Sequence, residues 1–331
     1  MPGAVRRAAS TPILSVAFAA FLLLGGSALA QNRAHSRRSE ARLEVEKLLS
    51  GANPNATLAR LKYLGEEPYA YTLLARVWPE LTQEAPRRNV AEVISGLEVK
   101  AAEPFLARLC ADEDGVLRMH GAAGLGRLRS KQRTVIEPLL ADSSWAVRRE
   151  AARALGRSRD KRASKALLAA AKAEGEPEPR QAMLIAAGQV GDKRAAKALA
   201  EFLEHSSEST RFAAARGLVL LRASEGYTYA GKLLAAEDRF VRRQGVALFE
   251  GVPATVAKKH LEPMLQDPDK RVAASAARTL YQGGDISRLE WLVLASYLAN
   301  ADDKVHFERE LETLMLTDDK RRAILKKAGV P

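Results

Sequence analysis

Apolar residues recur at spacings of three and four along most of the chain, which is the pattern of α-helices that bury one face. In one well-defined segment the apolar positions are Val147, Ala151, Ala152 and Leu155. The segment before it has a similar apolar face, and a short polar turn separates the two. No alternating apolar and polar run is long enough for a β-strand. The pattern therefore predicts an all-α protein built from pairs of short helices.

An arginine recurs about every 31 residues within this helical pattern. The positions are Arg118, Arg148, Arg180, Arg211 and Arg242. Similar small and apolar residues surround each arginine, so the pattern repeats as a unit. A unit of this length suits two helices of roughly 10–12 residues with their connections. Because neither helix can bury its apolar face alone, successive units must stack, and the sequence predicts an α-solenoid.

The best-preserved unit covers residues 142–156 and contains the motif Asp…Val-Arg-x-x-Ala-Ala-x-x-Leu-Gly. This motif resembles a HEAT repeat, and the Gly191-Asp192 ending of a later unit resembles the subclass called PBS-lyase-type HEAT repeats. The resemblance extends over about residues 84–300, and it is specific for the fold rather than for a function. It implies that the second helices line a concave surface and that the first helices lie outside.

In HEAT repeats the recurring arginine and a recurring acid form a ladder between units, and the resemblance implies the same here. The expected ladder residues are Asp112, Arg118, Asp142, Arg148, Glu174, Arg180, Arg211, Arg242 and Asp267. His205 and Ala236 replace the acid before the last two arginines of this set. Ala273 replaces the arginine that should follow Asp267. We expect the ladder to be weak at these places and the stack to be more mobile there.

The first 30 residues have the three parts of a secretory signal peptide. Arg6 and Arg7 precede an apolar run over residues 13–24, and Ala28-Leu29-Ala30 offers a cleavage site. The apolar run is short for a bilayer, which favours cleavage over retention as a membrane anchor. We therefore expect a periplasmic or secreted protein without a transmembrane span after cleavage.

Composition and pattern divide the chain into five parts. These are a signal peptide (1–30), a polar tether (31–40), a helical N-terminal cap (41–98), HEAT-like repeats (99–300), and a degenerate repeat with a C-terminal cap helix (301–331).

The chain is basic, with a formal net charge of +12. Residues 1–30 contain two arginines and no acid, so the remainder carries +10. A basic solenoid can indicate nucleic acid, but aromatic residues are only 5% of the chain and few fall on second helices, so platforms for stacking bases are scarce. An exported basic protein instead meets acidic proteins or anionic envelope polymers.

Residues that carry known chemistries are scarce in this sequence. The five histidines form no His-Glu pair, and the single cysteine, Cys110, excludes an internal disulfide and the usual Cys/His zinc sites. Cys110 occupies an apolar position of its unit, so we expect it to be buried. Neither a phosphate-binding glycine loop nor a Gly-x-Ser-x-Gly turn occurs. We expect no cofactor and no metal, and the sequence favours a non-enzymatic protein.

A lyase-like enzyme is the alternative, because phycobilin lyases use the same repeat type. Such an enzyme would need a pocket around His120, or around Tyr227 and Tyr229. A solvated or hydrogen-bonded histidine explains His120 equally.

One set of arginines is not required by the stack. They lie one and five positions after the ladder arginine, or one turn further along, and should point outward from the second helices. This basic stripe consists of Arg127, Arg149, Arg153, Arg157, Arg216, Arg243 and Arg278. It is either a solvated face or the binding face for an acidic protein. We expect a scaffold or adaptor that binds such a protein. An anionic envelope polymer is a further alternative, and the partner's identity and the oligomeric state stay open.

Overall fold

The structure is a computed structural model that describes residues 34–330. Within this range the chain consists of helices, short 3-10 turns and loops, without a β-strand, which confirms the predicted all-α class. The predicted signal peptide and the first residues of the predicted tether lie outside the described residues. The helices are α1 (34–49), α2 (Pro54–Leu64), α3 (Glu67–Val77), α4 (Glu84–Gly96), α5 (Glu103–Leu109), α6 (Gly115–Arg127), α7 (Arg133–Ile136), α8 (Trp145–Ser158), α9 (Ser164–Ala173), α10 (Pro177–Gln189), α11 (Ala196–Glu201), α12 (Glu208–Leu221), α13 (Ser224–Leu234), α14 (Arg239–Ala247), α15 (Ala254–Leu261), α16 (Lys270–Gln282), α17 (Ser287–Leu298), α18 (Ala301–Thr313) and α19 (Asp318–Lys327).

These helices form two compact units, of which the first ends at Leu106 and the second begins at Ala107. This division falls within α5, and the sequence predicts the boundary between cap and repeats at residues 98 and 99. Each unit is described by itself.

In the first unit, residues 34–40 are helical, because α1 begins at residue 34. The sequence predicts a polar tether for this segment, and the structure differs there. Polar residues of this turn are held by ion pairs. Glu40 accepts a hydrogen bond from Arg60 of α2 at 2.6 Å, and Arg38 lies 3.6 Å from Glu66. The next turns of α1 bury Ala41, Val45 and Leu48. The arginines and acids of this segment therefore extend a packed helix.

The second unit alternates short first helices with longer second helices. The first helices are α7, α9, α11, α13, α15 and α17, and several are extended or preceded by 3-10 turns. The second helices are α6, α8, α10, α12, α14, α16 and α18. Consecutive second helices pack on one another from α6 to α12 and again from α14 to α18, while α13 packs against both α12 and α14. This arrangement confirms an α-solenoid of two-helix repeats.

Small residues set the close approach of the second helices. Ala151, Ala152 and Ala154 of α8 are fully buried. Gly188 of α10 lies directly on the backbone of Gly217 of α12, since a Cβ on Gly188 would stand 2.4 Å from the Gly217 carbonyl oxygen. The helix axes are therefore close enough for the side chains of neighbouring repeats to interact.

Side-chain caps fix where several second helices begin. Asp114 and Asp238 each accept a hydrogen bond from the backbone N–H two residues later, at 2.8 and 2.7 Å. Such caps satisfy N–H groups that the first turn of a helix leaves unpaired. A fixed first residue determines which later residues of the helix point outward.

The C-terminal end of the unit is α19, whose first turn is acidic and last turn basic, as suits the helix dipole. Cys110 is buried, and burial raises the pKa of its thiol to about 12. Among residues 34–330, no helix has the length and apolarity that a membrane crossing requires.

Candidate partner-binding site

The ladder arginines lie between consecutive repeats. Arg148 donates from Nε and Nη2 to the two carboxylate oxygens of Glu174, at 2.6 and 2.9 Å. Its Nη1 donates to the backbone carbonyls of Asp142 and Ser143, at 2.8 and 3.2 Å. One guanidinium therefore binds the turn of its own repeat and the acid of the next repeat.

The same bidentate arrangement joins Arg118 to Asp142 and Arg242 to Asp267, with distances of 2.6–2.9 Å. The Asp267 side chain is only 2% exposed. Burial opposes ionisation of Asp142 and Asp267, but the guanidinium and a backbone N–H two residues later outweigh it, so both pKa values lie below normal. These carboxylates are therefore fixed charges within the stack.

The weak places of the ladder differ from those expected, because each arginine pairs with the acid that follows it in the chain. Arg242 was expected to be poorly held, yet it forms a full pair with Asp267. The interruption instead affects Arg180, whose carboxylate partner would have to stand at His205. Arg180 donates to the backbone carbonyl of Glu174, and within residues 34–330 it has no ion pair.

Arg211 is the second interrupted position, since Ala236 stands where its acid would be. Its Nη1 still donates to the carbonyls of His205 and Ser206, both at 2.8 Å. His205 also keeps part of the acid's role, because its Nδ1 accepts a hydrogen bond from the Ser207 N–H at 3.0 Å. Turn geometry is thus retained at both positions while the bond to the next repeat is missing.

Four arginines of the basic stripe surround one cavity on α8, α10 and α12. This arginine cavity has a volume of about 330 Å³ and is lined by Arg149, Arg153, Arg157, Glu178, Gln181, Ala182, Ile185, Gln189 and Arg216. All of these residues lie on second helices. The lining contains four positive charges and one negative charge, so the cavity is a concentrated positive site.

A buried acid orients two of these arginines. Glu150 accepts hydrogen bonds from Arg149 Nε at 3.2 Å and from Arg153 Nη1 at 2.8 Å. The guanidinium carbon of Arg149 also lies 5.0 Å from the ring centre of Trp145, whose side chain is 46% exposed. Since a guanidinium has five N–H donors, donors of both arginines stay available for a partner.

Trp145 was not identified by sequence reasoning as a surface residue. A signal existed, because it follows Ser143-Ser144 in the polar turn before α8, where burial in the helix interface is not expected. Tryptophan and arginine are among the residue types that contribute most to the binding energy at protein interfaces.

The other stripe residues lie outside the arginine cavity. Arg278 pairs with Glu310 at 2.6 Å and shares Glu250 with Arg216, at 3.3 and 3.5 Å. Arg127 is exposed and Arg243 is half-buried, and neither lines the cavity. The predicted stripe is therefore concentrated around four of its members.

A second cavity, the loop cavity, adjoins the first along the turns that follow the second helices. Its volume is about 580 Å³. It shares Arg157, Gln189 and Arg216 with the arginine cavity. Its other charged lining residues are Arg129, Arg159, Lys161, Arg222 and Glu250. Positive charge thus continues from the helix faces onto the turns.

The residues considered for a lyase-like site lie elsewhere. His120 is half-buried, and burial together with the charge of Arg127 lowers its pKa to about 4, against opposing effects of two acids. Tyr227 stacks on His260 with ring centres 4.8 Å apart, and Tyr229 packs against the same hydrophobic core. Neither cavity is lined by His120, Tyr227 or Tyr229. Among residues 34–330, no group of three or more His, Cys, Asp or Glu is placed to hold a metal ion.

The chain is similar to several solved structures. The complex of CpcE and CpcF of phycocyanin lyase from Nostoc sp. PCC7120 has a TM-score of 0.50 and 21% identity, over 73% of this chain and 92% of that one. An engineered protein has a TM-score of 0.43 and 16% identity, with 89% of each chain covered. YibA of Escherichia coli has a TM-score of 0.39 and 16% identity, over 75% of this chain and 97% of that one. At 21% identity, the likeness to the CpcE and CpcF complex concerns the fold alone.

Comparison of the sequence with protein families gives a match to HEAT repeats in three overlapping segments, residues 102–178, 133–218 and 164–248. No curated protein matches the sequence. The matched segments contain the second helices α6, α8, α10, α12 and α14 and the ladder arginines on them. Residues 102–248 of this chain therefore consist of HEAT repeats.

Proposed function

We propose that this protein is a non-enzymatic scaffold or adaptor that binds a protein with an acidic surface. The observation that carries the proposal is the arginine cavity, where Arg149, Arg153, Arg157 and Arg216 converge from two second helices, with Glu178 as the one acid in the lining. Repeat stacks bind partners on extended surfaces made by successive units, and the arginine cavity is lined by three successive second helices, α8, α10 and α12.

The side chains around the cavity suit recognition of carboxylates. A guanidinium donates two parallel hydrogen bonds to a carboxylate, which gives direction as well as attraction. Glu150 holds Arg149 and Arg153 in place before a partner arrives, so less side-chain entropy is lost on binding. Trp145 adds an apolar surface at the edge of the charged region. The positive potential would raise the association rate and select acidic partners more than it would raise affinity.

Export of the protein belongs to the same proposal. It is supported by the sequence of residues 1–30, in which Arg6 and Arg7, the apolar run of residues 13–24 and Ala28-Leu29-Ala30 follow in the order of a signal peptide. Amino-terminal sequencing of the protein from fractionated cells should give a chain that begins at Gln31 in the exported fraction. A chain that begins at Met1 in the membrane fraction would support an uncleaved anchor instead.

The binding proposal is tested by capture of partners from a periplasmic extract, with two matched variants. R153A/R157A removes two charges from the arginine cavity, and R162A/R194A removes two exposed charges from the first-helix side. The first variant should lose the captured protein, with an affinity reduced by about 10- to 100-fold. The second should retain it. Equal capture by both variants would reject the arginine cavity as the binding site.

The second candidate function is that of a lyase-like protein, and the observation that favours it is the fold shared with CpcE and CpcF. It requires that a tetrapyrrole bind to this chain. Titration of the protein with a bilin should then shift the visible absorption spectrum, and an unchanged spectrum would remove this candidate. An anionic envelope polymer, the third candidate, would bind with a much steeper salt dependence than a folded protein partner.

A further inference from the structure

Within four residues of the end of each second helix, the chain has one residue with left-handed backbone. After α6, α8 and α12 the chain adopts left-handed backbone at Arg129, Arg159 and Arg222, with φ of 50°, 52° and 60°. After α10, α14 and α16 the equivalent residues are Gly191, Gly251 and Gly284, with φ of 77°, 76° and 106°, and after α18 the equivalent residue is Met315, with φ of 49°. Left-handed backbone is strained for residues with a Cβ and unstrained for glycine. Three repeats thus place arginine where the backbone favours glycine.

Packing within the fold does not explain these three arginines. All three side chains are exposed, and within residues 34–330 none of them has an ion pair or a side-chain hydrogen bond. The helix dipole favours a cation near a C-terminus, but an arginine within the last turn supplies it without backbone strain, as Arg127 of α6 and Arg157 of α8 do. Neither packing nor the helix dipole therefore explains why arginine occupies these three left-handed positions.

All three arginines line the loop cavity. Together with Lys161, Arg157 and Arg216 they place six positive side chains around a volume of about 580 Å³. The acid in the lining is Glu250, and it is already shared by Arg216 and Arg278. Strain at three backbone positions and an excess of positive charge thus coincide at one concave site. Strained residues of this kind concentrate at binding sites.

We propose that the loop cavity binds a small, multiply charged anion of the phosphate class. The donors come from turns after α6, α8 and α12 and from the last turn of α8, so they approach the cavity from several directions. A phosphate group presents three acceptor oxygens in a tetrahedral arrangement and carries more than one charge, whereas a carboxylate presents two coplanar oxygens and one charge. Guanidinium groups bind phosphate oxygens bidentately.

This inference does not rest on the proposed protein-binding function. Arg159 and Arg222 line the loop cavity and not the arginine cavity, while Arg149 and Arg153 line the arginine cavity and not the loop cavity. The two sites can therefore be altered separately, although Arg157 and Arg216 contribute to both.

The experiment is isothermal titration calorimetry of the purified protein with inorganic tripolyphosphate. R159G/R222G should bind about 100-fold more weakly than the unaltered protein, tenfold for each guanidinium lost. Its Tm should be unchanged or higher, because glycine relieves the left-handed backbone at both positions. The matched control is R194A/R309A, which removes two exposed charges from outside the cavity and should bind tripolyphosphate within twofold of the unaltered protein.

Three results would overturn the inference. Equal weakening by R159G/R222G and R194A/R309A would indicate attraction by net charge only. Tighter binding of citrate than of tripolyphosphate would indicate a carboxylate site. A lower Tm of R159G/R222G with unaltered binding would indicate a structural role of the two arginines. Capture of a protein partner by R159G/R222G is measured in parallel. Retained capture with lost tripolyphosphate binding separates this inference from the proposed function.

Discussion

Arginine serves different purposes in this chain, and the partner of each guanidinium distinguishes them. Arg148 represents the ladder, where a buried carboxylate and two backbone carbonyls use most of its donors. Arg153 represents the stripe, where a single bond to Glu150 orients a side chain that stays half-exposed. Arg159 has no such partner within residues 34–330 and lines a cavity. Structural and binding roles can therefore be tested by separate substitutions.

Arg148→Ala should be more damaging than Arg180→Ala. The first substitution leaves the Glu174 carboxylate, which is only 4% exposed, without its guanidinium, and loss of one partner of a buried pair costs about 3 kcal/mol. The second removes a hydrogen bond to a backbone carbonyl, at about 1 kcal/mol. Urea unfolding of both variants measures the difference. Equal losses would show that the ladder pair contributes no more than a single carbonyl bond.

The ladder should also make stability depend on acid pH. The pKa values of Asp142, Glu174 and Asp267 are lowered in the fold. Their pairs therefore contribute fully above the ordinary values of 3.8 and 4.5, and the contribution is lost as pH falls through the folded values. Tm should stay level from pH 7 to about 5 and fall toward pH 3, with a smaller fall in Arg148→Ala. The same Tm at pH 3 and pH 7 would contradict this.

At the scale of helices, the spacing of apolar residues was sufficient to predict the helix pairs. Positions such as Val147, Ala151 and Leu155 face a neighbouring helix whatever the exact turn, so periodicity alone identified the helix pairs. The partner of a ladder arginine could not be read this way, because an acid six residues earlier and an acid about 25 residues later are equally regular in the sequence. Stacking decides for the later one, as with Arg148 and Glu174.

The same limit applies to the site. Helical spacing predicted a common face for the four arginines that the structure brings together around the arginine cavity. The left-handed backbone at Arg129, Arg159 and Arg222 could not be predicted, because it depends on the geometry of the turns and not on the spacing of residues. The helical start of α1 was missed because its polar residues pair with residues distant in the chain, such as Glu40 with Arg60.

Two helical glycines make opposite predictions about helix packing. Gly188→Ala puts a Cβ 2.4 Å from the Gly217 carbonyl oxygen, so α10 and α12 must move apart, at about 1–3 kcal/mol. Gly231→Ala in α13 meets nothing within 4 Å and should stabilise by about 0.5–1 kcal/mol through helix propensity. Thermal unfolding of both variants compares them. A Gly188→Ala protein as stable as the unaltered one would contradict the close approach of these helices.

For the whole molecule, stability is the sum of repeats and of the interfaces between neighbours. Ladder pairs cross the interfaces from Arg118, Arg148 and Arg242, and they are missing in between, at Arg180 and Arg211. The arginine cavity spans α8, α10 and α12, so the proposed binding face includes repeats that the ladder does not join.

A carboxylate at position 205 should restore the pair with Arg180. His205 already accepts a bond from the Ser207 N–H, as Asp142 does from Ser144, so His205→Asp keeps the turn and supplies the missing acid. The expected gain is about 0.5–1.5 kcal/mol in urea unfolding. Ser206→Asp is the matched control, with the same charge at an exposed neighbour, and should gain nothing. Equal effects of both would refute the assignment of the interruption.

The central claim is that a partner binds the face formed by the second helices around the arginine cavity. Hydrogen–deuterium exchange of the protein with and without its captured partner tests it most directly. Protection should be concentrated in Trp145–Ser158 and Pro177–Gln189, while Ser164–Ala173 and Ala196–Glu201 on the first-helix side exchange as in the free protein. Protection confined to the first helices would contradict the account.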